Sequence, residues 1–249
     1  MKIKLTFYSE RKIFLPKGYF SQIQGLIYNL LDKLSADWLH TEGFKHKNRF
    51  FKLFVFSEIN ERGRFIKDKG FVFPNTISFY LASPINWILE QVAKNGITND
   101  MLDLGENKVS LSQIETFEKP KLKDLKVFVR TLSPIEVHST LKKPDGSDKT
   151  YYYNPKEKEF SELIESNLKK KWEILNEESC PYGMSIEPYS ERFLKEKTII
   201  VKDTVIKGWK GRFILEGDIP LLELAFETGL GTRNSLGFGF IEEVKRRER

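Results

Sequence analysis

The order in which strands and helices follow one another limits the folds open to this chain more than any other feature. Apolar residues alternate along some segments and recur every three to four positions along others. In the first half these patterns predict a strand at 2–8, a helix at 19–34, a strand at 50–59, one or two strands at 71–82, a helix opening at Ser83-Pro84, and strands at 97–104 and 108–117. This is the β-α-β-β-α-β order of a ferredoxin-like domain.

The second half repeats that order without repeating the sequence. Its patterns predict a strand at 126–135, a turn at 144–146, a helix that opens at Asn154-Pro155 and ends near Leu175, strands at 198–203 and 205–216, a helix at 220–228 and a last strand at 236–244. We therefore predict an α+β protein of two tandem ferredoxin-like domains. The charged stretch from Glu118 to Asp124 places the boundary between domains 1–120 and 121–249.

An excess of basic residues favours a polyanionic partner. The chain has 41 Lys and Arg against 35 Asp and Glu, a formal net charge of +6. The basic residues concentrate in three places, namely His40 to Phe73, Arg192 to Leu215, and the run Lys245, Arg246, Arg247 and Arg249. An RNA backbone could use such patches, although lysines that keep strand edges soluble explain any single patch about equally well.

Other residue types narrow the class of protein. Cys180 is the one cysteine of the chain, so no disulfide can form within it, which suits a reducing cytoplasm. Early charges argue against a signal peptide, and no run of about 18 apolar residues could span a membrane. One cysteine and three scattered histidines do not make a usual zinc site, and we expect no cofactor. Counting alone leaves open a magnesium site made of carboxylates.

Residues 229–239, Gly-Leu-Gly-Thr-Arg-Asn-Ser-Leu-Gly-Phe-Gly, carry four of the 16 glycines of the chain. They follow a predicted helix and precede a strand, whereas a nucleotide-binding P-loop follows a strand and precedes a helix. The C-terminal end of the helix would repel phosphate, so an anion here must be held by the loop amides and Arg233. A tight turn that packs a helix on a strand explains the glycines about equally well.

The glycine-rich segment resembles the C-terminal signature of CRISPR-associated repeat endoribonucleases, a branch of the repeat-associated RNA-binding superfamily. Gln24-Gly-Leu-Ile-Tyr-Asn29, Lys52-Leu-Phe-Val-Phe-Ser57 and Thr131-Leu-Ser-Pro-Ile135 extend the resemblance over nearly the whole chain. It implies two tandem ferredoxin-like domains, and precursor guide RNA, cut within its CRISPR repeats, as the partner. The loop residues it implies for positioning RNA are Gly229, Gly231, Arg233, Asn234, Ser235, Gly237 and Gly239.

The family often places a tyrosine on the first helix, a histidine after it and a lysine in the next strand, which match Tyr28, His40 and Lys52. The resemblance implies metal-independent attack by the RNA's own 2′-hydroxyl, which leaves 2′,3′-cyclic phosphate and 5′-hydroxyl ends. Tyr28 would orient or deprotonate that hydroxyl, His40 would protonate the leaving oxygen, and Lys52 would stabilise the transition state. His46, expected in a mobile basic loop, is the rival acid.

Further residues are expected to surround these three. At about 100° per residue, Tyr28 points away from the apolar stripe of a helix at 19–34, near Gln24 and Asp32. Phe44, Trp209 and Phe238 could stack on bases. The RNA-binding candidates outside the glycine-rich segment are Arg192, Lys195, Lys197, Lys202, Lys207, Lys210 and Arg212.

Two other interpretations stay open. A non-cleaving RNA scaffold of the same superfamily would keep the glycine-rich segment without using His40. A tandem RNA-recognition-type protein is also built from ferredoxin-like folds, but Leu236-Gly-Phe-Gly-Phe240 matches only part of its signature and lies on the wrong strand. The sequence does not decide between a monomer and a homodimer, or whether the chain joins an effector complex.

Overall fold

Two antiparallel sheets form the frame of the molecule. The computed structural model describes residues 1–201 and 204–244. The first half consists of β1 (Lys2–Tyr8), β2 (Ile13–Leu15), α1 (Phe20–Asn29), α2 (Lys33–Thr41), β3 (Phe44–His46), β4 (Arg49–Phe51), β5 (Val55–Phe56), β6 (Arg64–Ile66), β7 (Gly70–Phe73), β8 (Thr76–Ala82), α3 (Asn86–Thr98), β9 (Leu102–Leu104) and β10 (Asn107–Phe117). The second half consists of β11 (Lys126–Thr131), β12 (His138–Lys142), β13 (Asp148–Tyr152), α4 (Lys158–Asn176), β14 (Met184–Pro188), β15 (Lys195–Val201), β16 (Thr204–Lys210), β17 (Arg212–Gly217), α5 (Ile219–Thr228) and β18 (Ile241–Glu243).

The two sheets share one strand order. The larger sheet runs β5-β8-β1-β10-β9, and the smaller runs β14-β17-β11-β18. Apart from the edge strand β9, each sheet places the four strands of its β-α-β-β-α-β unit in the order second, third, first, fourth. This common topology confirms the predicted α+β fold with two ferredoxin-like units. The exact domain boundary near residue 120 stays a prediction.

Each sheet packs against the helices of its own half. The inward side chains of β1 and β8 join those of α1 and α3 in one buried cluster, where Phe7 and Phe79 stack with ring centroids 5.7 Å apart. In the second half, α4 and α5 pack against β11 and β17. Burying each such large apolar side chain contributes roughly 1.5–3 kcal/mol. None of the described helices combines the length and the apolar composition that crossing a bilayer requires.

A third, smaller cluster joins the two halves. Val55 of β5 and Ala82 of β8 pack against Phe240, which precedes β18. A backbone hydrogen bond also crosses between the halves, because Glu58 N–H donates to the carbonyl of Leu132 at 3.3 Å. The second half is therefore held directly against the segment of the first half that follows Lys52.

The helix predicted at 19–34 is in fact two helices. α1 ends at Asn29, and α2 begins at Lys33 because the side chain of Asp32 caps it by accepting a hydrogen bond from Ser35 N–H at 2.9 Å. Leu34, predicted to lie on the apolar stripe of one long helix, is 83% exposed. The chain turns between the two helices, which brings the end of α2 back towards α1.

Several other element boundaries differ from the prediction. The strand predicted at 50–59 is interrupted after β4, where Leu53 takes a left-handed conformation with φ of 51°. Ile97 belongs to α3 and not to a strand. The strand predicted at 205–216 is divided at Gly211 into β16 and β17. The strand predicted at 198–203 coincides in part with β15, which pairs with β16 outside the smaller sheet, whereas β14, the second strand of that unit, was not predicted. β12 and β13 were also not predicted, and the three-residue strands β2, β3 and β6 are too short to show a periodic pattern.

Truncation of a buried ring tests the packing of the larger sheet. Phe79→Ala should lower the free energy of unfolding by about 3–5 kcal/mol, because Phe79 is fully buried and its removal leaves a cavity beside Phe7. Phe14→Ala, which truncates a ring on β2 that is 38% exposed, should cost far less and serves as the control. Urea unfolding monitored by circular dichroism measures both; equal losses would contradict this packing.

Candidate functional site

Tyr28 and His40 lie together although different helices carry them. Tyr28 is in the last turn of α1 and His40 in the last turn of α2, and their ring centroids are 5.8 Å apart with the rings edge to face. The imidazole is exposed, whereas the phenol is half-buried against the ring of Phe54, 6.0 Å away. His40 was expected just past the first helix; it is instead on α2, which the turn at Asp32 directs back along α1.

Burial decides the protonation of Tyr28. Desolvation raises the pKa of its phenol to about 12. Asp32, expected beside it on one long helix, instead caps α2. Tyr28 therefore keeps its proton at neutral pH and can donate a hydrogen bond, but it is poorly suited to act as a base.

Lys52 lies beneath the end of α2. It follows β4 and is not in a strand as predicted, and its Nζ donates to the carbonyls of His40 at 2.9 Å and Glu42 at 3.2 Å. A cation at a helix C-terminus stabilises the carbonyls that have no partner within the helix. Burial lowers the pKa of Lys52, and the charge of Glu42 opposes that shift. Lys52 thus fixes the helical turn that carries the imidazole of His40.

A glycine makes the close approach of Lys52 possible. Gly43 has φ of 69°, and a Cβ at this position would lie 2.6 Å from the carbonyl oxygen of Phe51 and 3.3 Å from Nζ of Lys52. Any side chain would push the lysine away from α2. The short path from α2 to β3 and β4 therefore depends on this residue.

His46 is engaged elsewhere. It is not in a loop as predicted but ends β3, and its Nε2 lies 2.6 Å from Oε2 of Glu173 on α4. This hydrogen bond is the main cause that lowers the pKa of Glu173. The pair ties the hairpin of β3 and β4 to the second half, and the side chain of His46 is only 13% exposed.

Backbone hydrogen bonds hold the glycine-rich segment in a closed loop. Leu230 N–H donates to the carbonyl of Gly239 at 2.9 Å, Gly239 N–H donates to Pro134, and Thr232 N–H donates to Glu136. A Cβ at Gly239, where φ is 84°, would lie 2.0 Å from the carbonyl oxygen of Leu230. These amides were expected to hold an anion, but they form the loop instead.

A buried lysine holds the loop from below. Lys171 of α4 is 3% exposed, and its Nζ donates to the carbonyls of Thr228 at 3.3 Å and Gly229 at 3.0 Å and to Oδ1 of Asn234 at 2.7 Å. The amide of Asn234 in turn donates to the carbonyls of Leu230 and Phe238 across the loop. Lys171 therefore satisfies the C-terminal carbonyls of α5, which the sequence alone suggested would repel phosphate.

The loop contacts the helix that carries Tyr28. Gln24 Nε2 donates to the carbonyl of Ser235 at 2.8 Å. Gln24 and Tyr28 are four residues apart, so they share one face of α1. The glycine-rich loop and the pair of rings are consequently neighbours on the same side of the molecule.

An open groove of about 410 Å³ lies between the two halves. Its lining comprises residues 49–54 of the first half, and His138, Asn167, Lys171, Thr228 and residues 232–235 of the second half. Arg49, Lys52 and Arg233 give the groove positive charge. No group of three or more His, Cys, Asp or Glu within residues 1–201 and 204–244 is placed to hold a metal ion. The groove is suited to an extended polyanion.

The other predicted basic residues lie away from this groove. Lys195, Lys197, Lys207 and Lys210 are on the hairpin of β15 and β16, which does not line it. Lys207 pairs with Glu196 at 2.9 Å, and Lys210 pairs with Glu58. Those outside β15 and β16 include Arg212, which lies over the ring of Phe193, and Arg192 in the turn Glu191–Phe193. Lys202, Lys245, Arg246, Arg247 and Arg249 lie outside the described residues.

The rings expected to stack on bases contact other parts of the protein instead. Phe238 is fully buried and packs against Phe20 with ring centroids 5.3 Å apart, so that prediction is wrong. Phe44 packs against Trp38, and the indole of Trp209 donates to the carbonyl of Tyr153.

Phe50, Asn167 and Lys171 are among the groove residues that the sequence analysis did not identify. Phe50 is 52% exposed in its wall, and Asn167 and Lys171 line it from α4. The sequence pattern could have identified the two residues of α4, because Asn167 and Lys171 share the helix face that carries Ile164 and Leu168. A polar residue on an apolar helix face is costly to bury unless it has a hydrogen-bond partner.

Because the amino group of Lys171 is buried, the stability of the protein should depend on pH. Burial lowers the pKa of Lys171 from 10.5 to about 7. Between these values the unfolded chain holds the proton and the folded chain releases it, so the free energy of unfolding should rise with pH, by at most about 1.4 kcal/mol per pH unit. Lys171→Met should remove this rise and, at pH 7, cost about 2–4 kcal/mol, because buried acceptors lose their donor.

Urea unfolding at pH 7 and pH 9 measures both effects. Lys169→Met is the matched control, because Lys169 is on the same helix but pairs with Glu165 at the surface. That substitution should change the free energy of unfolding by less than about 0.5 kcal/mol at either pH. An unchanged pH slope in Lys171→Met would contradict the assignment.

Comparison with known proteins agrees with the fold and the loop. The sequence model of the family "CRISPR associated protein Cas6, C-terminal" matches residues 117–243. The chain is 26% identical to CRISPR-associated endoribonuclease Cas6 1 of Methanocaldococcus jannaschii, over 98% of this chain and 93% of the relative. It is 29% identical to CRISPR-associated endoribonuclease Cas6 of Pyrococcus furiosus, over 94% of this chain and 85% of the relative.

A solved structure extends the likeness to the whole fold. The structure described as CRISPR associated protein Cas6 superimposes with a TM-score of 0.79 at 26% identity, over 98% of this chain and 99% of the other. The family model spans more than half of this chain and includes the whole glycine-rich loop. The chain therefore belongs to the CRISPR-associated Cas6 family.

Proposed function

We propose that this protein is an endoribonuclease that cuts CRISPR repeat RNA to release guide RNA, without a metal ion. The observation that carries the proposal is the meeting of Tyr28, His40 and Lys52 beside a basic groove and a glycine-rich loop. Two relatives that are named CRISPR-associated endoribonucleases support the activity. On this proposal, domains 1–120 and 121–249 each supply one wall of the groove.

The reaction uses the RNA's own 2′-hydroxyl. Its oxygen attacks the adjacent phosphorus, the bond to the 5′ oxygen breaks, and 2′,3′-cyclic phosphate and 5′-hydroxyl ends result. His40 gives its proton to the departing 5′ oxygen, which an exposed imidazole on a helix end can reach. The proton of the 2′-hydroxyl passes to solvent or to a group brought by the RNA complex.

Tyr28 orients the nucleophile. With a pKa raised to about 12, its phenol stays protonated and donates a hydrogen bond to the sugar or phosphate. Holding the 2′-hydroxyl in line with the leaving oxygen lowers the barrier by restricting the reacting groups before reaction. This role agrees with the half-buried position of the ring and does not require a phenolate.

Lys52 supplies positive charge to the phosphate. An ammonium has three N–H donors, and the carbonyls of His40 and Glu42 take two of them. The third donor is then available to a phosphate oxygen as negative charge develops on it. Because the same lysine holds the end of α2, it also fixes the position of the His40 imidazole relative to the phosphate.

The RNA strand leads to these residues through the groove. Arg49 and Arg233 line it, and Ser235 joins the loop to α1 near Tyr28. Contacts to phosphate make binding sensitive to salt, since each one releases counterions from the RNA. The residues of the glycine-rich segment thus shape the path of the RNA strand. The lysines of the β15–β16 hairpin attract the RNA at longer range.

Substitution of the proposed acid separates an enzyme from a non-cleaving scaffold. His40→Ala should lower the single-turnover cleavage rate of a repeat RNA in EDTA by about 10²- to 10⁴-fold and leave its affinity nearly unchanged. His46→Ala is the matched control, because His46 pairs with Glu173 away from Tyr28, and it should lower the rate much less.

Product analysis completes this experiment. The proposed chemistry leaves 2′,3′-cyclic phosphate ends, and a 2′-deoxy nucleotide at the cut should stop cleavage while binding persists. Binding without any cleavage by the wild-type protein would favour the non-cleaving scaffold instead. A rate that falls with His46→Ala and not with His40→Ala would move the acid to His46.

A further inference from the structure

We infer that the groove contains a subsite in which the side-chain amide of Asn167 forms a paired donor–acceptor contact with the edge of one RNA base. The inference deepens the proposed function and rests on it, because RNA is the ligand that brings a base into the groove. It concerns a part of the groove that the cleavage chemistry does not use.

The buried oxygen of Asn167 has no partner of its own. Asn167 is 8% exposed and lines the groove from α4, and its Oδ1 has no hydrogen-bond partner among the described residues. Buried side-chain oxygens in folded proteins nearly always accept a hydrogen bond, since water has been lost and must be replaced. A donor that enters the groove would satisfy this oxygen.

The neighbouring cation cannot serve as that donor. Lys171 lies one helical turn after Asn167 on the same face of α4, but its Nζ already contacts Thr228, Gly229 and Asn234. These contacts also hold Lys171 in place, so the wall of the groove beside Asn167 is fixed before RNA arrives. A preformed wall is what a selective subsite requires.

The chemistry of an asparagine amide requires a base edge with a donor beside an acceptor. The amide offers an acceptor beside a donor, which matches the N6 amine and N7 of adenine. Cytosine, with an amine beside a ring nitrogen, and uracil, with its N3–H beside a carbonyl oxygen, offer the same pair.

Two more residues of the groove suit the rest of the nucleotide. Phe50 presents a ring that is 52% exposed, on which a base can stack. Arg233 Nε has no hydrogen-bond partner in the described part of the chain and lies 3.6 Å from Oε2 of Glu136. The same Oε2 accepts from Thr232, and Oε1 of Glu136 lies 2.6 Å from Nδ1 of His138. Glu136 thereby orients Arg233 towards the groove, where its guanidinium can bind phosphate.

Affinities for simple oligonucleotides test the subsite. Fluorescence anisotropy would measure the binding of labelled ten-nucleotide strands of adenosine, cytidine and uridine to the full chain. Asn167→Leu should weaken binding of each strand by about 5- to 150-fold, because each base offers the matching donor–acceptor pair. Asn176→Leu, on the exposed end of the same helix, should change none of them.

A matched change in the RNA removes doubt about folding. Purine riboside lacks the N6 amine, so a purine riboside strand should bind the wild-type protein more weakly than the adenosine strand by the same factor, and Asn167→Leu should bind both strands equally. Equal weakening of the adenosine and purine riboside strands by Asn167→Leu, or no weakening of either, would overturn the subsite even if wild-type protein cuts repeat RNA. Wild-type protein that binds none of the strands would overturn the subsite alone, because cleavage of a repeat RNA decides the proposed function.

Discussion

The buried Nζ of Lys171, hydrogen-bonded to the glycine-rich loop, is the group on which the rest of the site depends. It satisfies the last carbonyls of α5 and, through Asn234, holds the two sides of the loop together. Without it, the helix end would present unpaired carbonyls to the groove, and a polyanion would meet negative charge there. A cation in the core is costly, so its position directly under the loop indicates that the loop must have one shape.

The shape of the loop in turn determines where the rings of the first half can act. Ser235 accepts a hydrogen bond from Gln24, one turn before Tyr28 on α1, and the break after Asp32 returns α2 so that His40 reaches the same place. Lys52 then fixes the end of α2 from below. The two ferredoxin-like units therefore make different contributions, one the loop and most of the groove wall, the other the groups proposed for chemistry.

The long periodic elements could be predicted from the sequence, and the placement of the site only in part. β1, β10 and α5 match their predictions closely because each has a regular apolar pattern. The break at Asp32 was missed because Leu34 continues the helical spacing although it faces solvent. Lys171 was missed for a related reason, since periodicity identifies the buried face of a helix but does not reveal which polar residue on it finds partners from a distant loop.

The structure of the protein bound to a repeat RNA with a 2′-deoxy nucleotide at the cut tests the account most directly. The account predicts that the strand passes through the groove and over the glycine-rich loop. It places the uncut phosphate within about 3 Å of the Lys52 ammonium and the His40 imidazole, with the Tyr28 hydroxyl beside the attacked sugar. A strand that follows the β15–β16 hairpin instead, with no phosphate near Tyr28 and His40, would contradict it.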